Sequence, residues 1–247
     1  MRTLATIVLV FMAAFPCAAA DVTVSAAASL RDAFTEIARA FELRNKPHRV
    51  LLNTGASGQL LQQVSRGAPV DVFASADQDT MDKAQRQGLL VSGTRVNLVA
   101  NRLVLAVNQD LASPPKSLDE LGRADIQRIA IGNPESVPAG RYARGALEAA
   151  GQWARLSARL INTQNVRQAL DYVARGEVDA SFVYATDAQL LSARVRVAFE
   201  VPTAEPIVYP IAVIKGGGNE RLGQTFVAYV RGEEARAILR KYGFDPL

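Results

Sequence analysis

The sequence predicts an α/β fold in which mostly parallel sheets are flanked by helices. Short apolar runs alternate with amphipathic helical patterns from residue 22 almost to the end of the 247-residue chain. Alternation of this density is typical of α/β architecture. Hydrophobic residues make up 49% of the chain and charged residues 21%, so a sizeable core can form as one large domain or as two lobes.

The elements of the first half follow from short-range patterns. Leu30, Phe34, Ile37 and Phe41 recur at helical spacing and predict an amphipathic helix after a strand-like apolar run. A later polar helix ends at Gly88, where a C-cap glycine belongs. The predicted elements are strand 22–27, helix 30–44, strand 49–54, helix 58–66, strand 70–75 and helix 79–87.

The second half continues the same alternation. Gly151 and Gly176 each follow the last periodic position of a helical pattern. No repeat, low-complexity tract or Pro/Gly-rich linker divides the chain, so extended segments would connect any two lobes. The predicted elements are strands 102–108 and 128–133, helices 140–150 and 166–175, strands 180–185, 195–201 and 207–214, and helices 219–231 and 233–242.

Residues 1–20 have the pattern of a cleavable export signal. Met1-Arg2 supplies a positive start, "LATIVLVFMAAF" a short apolar core, and "CAAA" a cleavage site before Asp21. The apolar run is too short for a transmembrane helix. We therefore expect soluble export to the periplasm, and a lipid anchor on Cys17 is a minor alternative because Pro16 precedes it.

Charge and cysteine content narrow the function further. Removing the signal takes away Arg2 and no acid, so the net charge falls from +4 to +3 with His48 neutral. This mild, well-mixed balance argues against a nucleic-acid partner. Cys17 is the only cysteine, so the exported chain has no intramolecular disulfide and depends on packing for stability.

No constellation of residues argues for catalysis. The stretch "NTGASGQL" (53–60) resembles a nucleophile elbow, but Gln59 replaces the last glycine of G-x-S-x-G. The only histidine, His48, lies in a polar turn, and no P-loop lysine exists. Asp71, Asp77 and Asp79 have the spacing of strand-end and cap residues rather than metal ligands. We expect no catalytic residue, no cofactor and no protein ligand to a metal.

Small or hydroxyl residues instead recur where helices begin. Ser29 has Asp32 three residues on, a capping-box spacing, and Ser57 opens the next helix. Residues 138–140 and 162–166 open two more. Each of these segments alone is typical of an ordinary helix start. Four of them after strands, at the edge where open α/β sheets bind ligands, favour an anion site made of uncharged donors.

A series of motifs carries a family resemblance through residues 21–247. In order they are "AAASLRDAF", "GAPVDVFASADQ", "VPAGRYARGAL", "GQWARLSARL", "NVRQAL", "FVYATDA" and "RKYGF". The chain resembles the periplasmic molybdate-binding proteins of ATP-driven importers. Each motif is modestly specific alone, and their common order makes the resemblance strong.

The resemblance implies a two-lobed periplasmic-binding-protein fold with the ligand cleft between the lobes. It implies that the oxyanion is held by two serines, two backbone amides and one phenol, with no countercharge. The corresponding residues here are Ser29, Ser57, Ala139, Val166 and Tyr184. Gly55 and Gly58 stand where family members often carry more Ser or Thr, which puts any extra hydroxyl contact in doubt.

On this basis we expect 21–99 plus 205–247 to form lobe 1 and 100–204 to form lobe 2, with crossovers near 99–102 and 200–205. The expected function is capture of molybdate or tungstate by hinge closure, followed by delivery to the permease of an ABC importer. The protein would act as a monomer and perform no chemistry.

Three other functions stay open at this point. The first is a carrier of sulfate or another tetrahedral oxyanion, built on the same donors. The second is a secreted serine hydrolase using Ser57, which would need a base within hydrogen-bond reach. The third is an adhesive envelope protein that binds no small anion.

Overall fold

The computed structural model describes residues 20–247, so residues 1–19, with Cys17 and nearly all of the predicted export signal, lie outside the described part. Eleven strands and nine α-helices are described, with short 3-10 turns at 28–30, 119–122 and 157–159. The strands are β1 Asp21–Ala27, β2 Arg49–Gly55, β3 Val72–Ala74, β4 Val96–Asn101, β5 Leu103–Asn108, β6 Ile129–Gly132, β7 Leu160–Thr163, β8 Ala180–Tyr184, β9 Val195–Glu200, β10 Ile207–Val213 and β11 Asp245–Pro246. The helices are α1 Arg31–Arg44, α2 Ser57–Ser65, α3 Gln78–Arg86, α4 Pro138–Ala149, α5 Trp153–Leu156, α6 Val166–Ala174, α7 Ala185–Leu190, α8 Glu220–Val230 and α9 Glu233–Lys241.

The strands form two sheets, each of which is the centre of one lobe. The first sheet has the order β11-β4-β10-β3-β1-β2 and the second β7-β6-β8-β5-β9. We call the elements packed on the first sheet the first lobe and those on the second sheet the second lobe. The chain passes from the first sheet to the second at Arg102 and returns through residues 201–206. The α/β class and the two-lobed architecture are confirmed.

The sheets are mixed rather than mostly parallel. Four strand pairs are parallel, and five are antiparallel. The parallel trios β2-β1-β3 and β7-β6-β8 end at the cleft. The chain also crosses between the lobes at the cleft. The strand that follows each crossing therefore runs away from the cleft. Strands β5 and β10 therefore run against their neighbours, which the local sequence pattern does not reveal.

Most predicted elements are present within two or three residues of their expected bounds. The sequence reasoning missed β4, which follows a turn and contains two asparagines, and β7, which directly precedes a helix start. It also missed the short elements α5, α7 and β11.

The first sheet is covered by helices on both faces. Val72 and Val213 belong to the large core under α1, α8 and α9, whereas Phe73 and Ala212 pack in a separate cluster under α2 and α3. Alternate residues of one strand point to opposite faces, so β3 and β10 serve both cores. The resulting rigid layers fix the strand ends from which the cleft is built.

Candidate functional site

A small cavity lies between the two lobes, at the ends of the parallel strands. Its volume is about 200 Å³ including its open mouth. Within the described residues, none of the 13 that line it carries a charged side chain. The lining consists of Ala27, Ala28, Ser29, Gly55, Ala56, Ser57, Ala76, Val137, Pro138, Ala139, Asn165, Val166 and Tyr184. All five residues expected to bind the ligand are thus brought together in one cavity.

Ser29 lies in the 3-10 turn that joins β1 to α1 and is 2% exposed. Its hydroxyl is 3.0 Å from the hydroxyl of Tyr209. The expected capping box with Asp32 is wrong: the N-cap of α1 is Leu30, and no side chain caps the helix. Asp32 instead forms an ion pair with Arg167 of the second lobe. The 3-10 turn moves Ser29 off the start of the helix and leaves its hydroxyl at the cavity wall.

Ser57 is the first residue of α2 and is fully buried. Its hydroxyl oxygen accepts a hydrogen bond of 3.0 Å from the backbone N–H of Ala76. Because that bond occupies an acceptor position, the hydroxyl proton is left for a ligand oxygen. The uncharged turn at residues 55–58 therefore presents a hydroxyl donor, and the Ala76 N–H controls its orientation.

Ala139 and Val166 belong to the first turns of α4 and α6. The first N–H groups of a helix have no carbonyl partner inside the helix and carry partial positive charge. Pro138 opens α4, and Asn165 caps α6 by accepting from the N–H groups of Arg167 and Gln168. The cap leaves the Val166 amide unused. The first turns of α4 and α6 thus place amide donors at the wall of the cavity on the side of the second lobe.

Tyr184 ends strand β8 and is 1% exposed. Among the described residues its hydroxyl has no hydrogen-bond partner. A buried polar group without a partner costs about 1–3 kcal/mol, so a phenol in this position fits a ligand oxygen that completes its bonding. Burial raises the pKa of Tyr184 well above its usual range, which keeps the hydroxyl protonated and able to donate.

Two arginines beside the cavity are already paired with carboxylates. Arg141 of α4 reaches the first lobe, where its Nε and Nη2 lie 3.0 and 2.5 Å from Oδ2 of Asp77. Asp77 also caps α3 through the N–H of Thr80. The Asp77 side chain is 4% exposed, so the pair is held in a largely dry environment. Arg141 binds across the cleft and contributes no free charge to the cavity.

Arg167 forms a second ion pair between the lobes, on the opposite side of the cavity. It lies 2.8 Å from Oδ2 of Asp32 in the first lobe and 2.7 Å from Oδ1 of Asp187 in its own lobe. It also donates to the backbone carbonyl of Ser29 over 3.1 Å. Asp187 is fully buried, and burial raises its pKa against the opposing effect of Arg167. The two arginines therefore join the lobes on either side of the site.

A glycine allows the lobes to approach at the mouth of the cavity. The Gly58 N–H donates to the Ser136 carbonyl of the other lobe over 3.0 Å. A Cβ at position 58 would lie 2.7 Å from that oxygen. The absence of a side chain at Gly58 thus permits a direct backbone contact between the lobes.

Clusters of metal-ligating side chains and helices of membrane-spanning length are both absent from residues 20–247. The structure holds no group of three or more His, Cys, Asp or Glu side chains placed to bind a metal ion there. None of the helices in that range is both long and apolar enough to span a bilayer. His48 contacts the backbone of Ala20 and does not line the cavity.

The fold and the site together define a two-lobed protein with a small cavity of neutral donors between its lobes. Residues 22–245 match the family described as bacterial extracellular solute-binding protein, and the chain belongs to that family. It is 36% identical to the molybdate-binding protein ModA of Escherichia coli (strain K12), over 90% of this chain and 88% of that protein. It is 38% identical to YvgL of Bacillus subtilis (strain 168), named as a candidate substrate-binding lipoprotein of an ABC transporter, over 90% and 85% of the two chains.

Solved structures show the same architecture. The periplasmic molybdate-binding protein of Azotobacter vinelandii superposes with a TM-score of 0.79 at 27% identity, covering 90% of this chain and 98% of that one. The sulfate-binding protein SubI of Mycobacterium tuberculosis H37Rv superposes with a TM-score of 0.80 at 16% identity, covering 92% and 87%. The latter likeness shows the fold alone.

Sequence reasoning missed the residues that support the site from behind. Arg141 and Arg167 stand within the quoted motifs, two residues after Ala139 and one after Val166. Their position next to Ala139 and Val166 in the sequence could have indicated that these two arginines lie near the site. Tyr209 and Asn101 lie on the crossover strands far away in sequence, and no local pattern connects them to Ser29.

Proposed function

We propose that this chain captures molybdate, and also tungstate, and delivers the oxyanion to the permease of an ABC importer. The observation that carries the proposal is the cavity lined by neutral donors from both lobes, with the unpartnered Tyr184 hydroxyl among them. The ModA relatives support molybdate as the ligand. The ligand would touch Ser29, Ser57, Ala139, Val166 and Tyr184, and the protein would do no chemistry on it.

The donor set favours an anion that is fully deprotonated. Serine and tyrosine hydroxyls and backbone amides can all donate to oxide oxygens, and no carboxylate lines the cavity to accept a proton from the ligand. Molybdate and tungstate are nearly alike in size, whereas sulfate is smaller and would leave some donors stretched or unpaired. Each unpaired buried donor costs about 1–3 kcal/mol. Size and protonation together would select the ligand.

Binding would be coupled to hinge closure. We propose a boundary at residues 99–102 and 200–205, with 21–99 plus 205–247 as lobe 1 and 100–204 as lobe 2. The sheet membership of β4, β5, β9 and β10 supports this division. A ligand that contacts both lobes stabilises their closed arrangement. The ion pairs Arg141–Asp77 and Arg167–Asp32 would add to the same closed state.

Export to the periplasm completes the proposal. The signal pattern in 1–20 would direct the chain across the membrane and be removed before Asp21. The B. subtilis relative is named as a lipoprotein, so an anchor on Cys17 stays the alternative to soluble release. The protein would work as a monomer that exposes its closed surface to the permease.

Thermal unfolding with a panel of oxyanions tests the proposal. At a thousandfold excess over Kd, a specific ligand stabilises the folded state by about 4.1 kcal/mol. For a chain of this length, that corresponds to a rise in Tm of roughly 8–16 °C. We expect this rise with molybdate and tungstate and a much smaller one with sulfate and phosphate. A flat response to molybdate would reject the proposed function.

The same panel separates the competing functions. A sulfate carrier would invert the rank order, and an adhesive protein would respond to no anion. A hydrolase using Ser57 would hydrolyse a simple ester and react with a phosphonate. Its hydroxyl has no base beside it among the described residues, since His48 lies elsewhere and Ala76 N–H donates to the serine oxygen.

A further inference from the structure

Tyr209 does not line the cavity, yet its hydroxyl reaches one of the serines that do. Its oxygen is 3.0 Å from Oγ of Ser29, and both side chains are buried. The Tyr209 ring packs edge-to-face on Tyr184 and Phe244, with centroid distances of 5.6 and 5.7 Å. The hydroxyl is therefore held in place by a rigid aromatic cluster, directly behind a proposed ligand group.

The Ser29–Tyr209 distance allows either hydroxyl to donate, and Asn101, the last residue of β4, favours donation by Tyr209. The Asn101 Oδ1 accepts from the N–H of Arg102 over 2.9 Å, which fixes which end of the amide carries the donors. Its Nδ2 then donates to Thr186 Oγ1 over 2.9 Å and to the Tyr209 hydroxyl over 3.2 Å. The Tyr209 oxygen is thus an acceptor toward Asn101, and its own proton is free to donate to Ser29.

This arrangement determines what Ser29 can offer a ligand. With Tyr209 donating to its oxygen, the Ser29 proton is directed into the cavity. Burial raises the pKa of Tyr209 well above its usual range, so the phenol remains a donor. Ser57 is in the same situation, because the Ala76 N–H donates to its oxygen. With Tyr209 as the donor, both serines are held as donors toward the cavity, one by a backbone amide and the other by a side chain.

We propose that Tyr209, oriented by Asn101, is a specificity-determining residue that makes the site reject oxyanions carrying a proton. A protonated oxyanion needs an acceptor for its O–H group, and the Tyr209 hydrogen bond holds Ser29 in the donor role. The inference rests on the proposed function, since it concerns the same cavity. It adds a residue that touches no ligand and acts through Ser29.

Sulfate and phosphate provide the readout. At about pH 8 inorganic phosphate is mainly the monohydrogen dianion, so it matches sulfate in charge and approximate size but carries one proton. Dissociation constants for both anions are measured by competition against molybdate in the wild-type protein and in Tyr209→Phe. We expect Tyr209→Phe to shift the sulfate-to-phosphate affinity ratio toward phosphate by about tenfold, the effect of about one hydrogen bond.

Two variants make the test specific. Asn101→Asp replaces the donor behind Tyr209 with an acceptor, so the tyrosine proton turns away from Ser29. The ratio should shift in the same direction, while the added charge weakens both dianions equally and cancels. Tyr229→Phe removes a phenol that bonds Glu234 outside the site, and its ratio should equal that of the wild type.

The controls distinguish a structural role from a role in selectivity. Thermal unfolding without anion shows whether each variant is folded. An equal loss of affinity for both anions in Tyr209→Phe, or an unchanged ratio in a folded Tyr209→Phe and Asn101→Asp, would overturn the inference. If the wild type binds no molybdate, the proposed function fails first. If it binds molybdate and the ratio does not move, only the role of Tyr209 fails.

Discussion

The two walls of the cavity supply donors in different ways. The first lobe presents the hydroxyls of Ser29 and Ser57, whose oxygens are engaged by Tyr209 and by the Ala76 N–H. The second lobe presents the first amides of α4 and α6, together with the phenol of Tyr184. Hydroxyls rotate and need a second partner to fix their proton, whereas helix amides point along the axis without one.

The difference indicates how this site would hold the proposed dianion without a countercharge. Amide donors are fixed by the backbone and are kept when a side chain is substituted, so they would provide a constant part of the binding free energy. The direction of a hydroxyl proton depends on the neighbouring groups, so substitutions of those neighbours would change the contribution of the hydroxyl donors. The two arginines beside the cavity, Arg141 and Arg167, would not contact the proposed ligand, because both are bound to carboxylates.

Removal of one backbone donor should have the largest effect. Proline fits the first position of a helix and lacks an N–H, and Asn165 before it is already extended. Val166→Pro should therefore keep α6 intact while deleting a donor to a charged ligand. We expect a loss of molybdate affinity of about 100-fold, from roughly 1.5–3 kcal/mol per charged hydrogen bond. Isothermal titration measures it.

Val166→Ala is the matched control for that variant. It removes side-chain atoms and keeps the amide, so its affinity should stay within a few-fold of the wild type. Equal losses in the proline and alanine variants would mean that the side chain, not the N–H group, matters at this position.

Removal of one hydroxyl donor should have the next largest effect. Ser57→Ala deletes the donor to the ligand and the acceptor for Ala76, but neighbouring groups can shift into the space of one hydroxyl. We expect a loss of about 30-fold in molybdate affinity. Ser65→Ala removes an exposed-face hydroxyl from the last residue of the same helix and should leave affinity unchanged. Retention of full affinity by Ser57→Ala would remove this serine from the site.

Loss of a link between the lobes should have a smaller effect that is equal for all ligands. Arg141→Gln breaks the pair with Asp77 and leaves a buried carboxylate near the cavity. We expect molybdate affinity to fall about tenfold, with the molybdate-to-sulfate ratio unchanged. Adding Asp77→Asn removes the orphaned charge and should restore part of the loss. Arg144→Gln, on an exposed turn of the same helix, is the control.

A changed molybdate-to-sulfate ratio in Arg141→Gln would contradict this role, because it would place the guanidinium in contact with the ligand. The comparison needs only relative affinities, so a modest change in overall stability does not obscure it.

The smallest expected effect is that of alkaline pH. Burial raises the pKa of Tyr184 above the ordinary value of about 10, so its hydroxyl stays protonated and keeps donating as pH rises. Molybdate affinity should be flat between about pH 7 and pH 9. A fall of about tenfold over that interval would reveal a cationic group that holds the anion and loses its proton.

The sequence predicted much of this site, and the limits of that prediction have physical causes. Ser57 and Pro138 open their helices and Asn165 caps its helix, and such helix starts are readable from a few residues. The roles expected for Ala139 and Val166 came from family resemblance, because an amide leaves no trace in side-chain identity. These five ligand contacts remain predictions.

Contacts between residues far apart in the sequence could not be predicted from local sequence patterns. Asp32 has the spacing of a capping residue, yet the structure pairs it with Arg167, 135 positions along the numbering of the chain. The antiparallel strands β5 and β10 arise from the crossings between lobes, which depend on the tertiary path. Tyr209 contacts Ser29, and Asn101 contacts Tyr209, only because those crossings bring the two strands behind the serine.

A crystal structure of the protein grown with molybdate is the most direct test of the central claim. We predict the metal oxyanion in the cavity between the lobes, with its oxygens at hydrogen-bond distance from the hydroxyls of Ser29, Ser57 and Tyr184 and the amides of Ala139 and Val166. Arg141 and Arg167 should still be paired with their carboxylates. An anion bound outside this cavity, or held there by a guanidinium or ammonium group, would contradict the account.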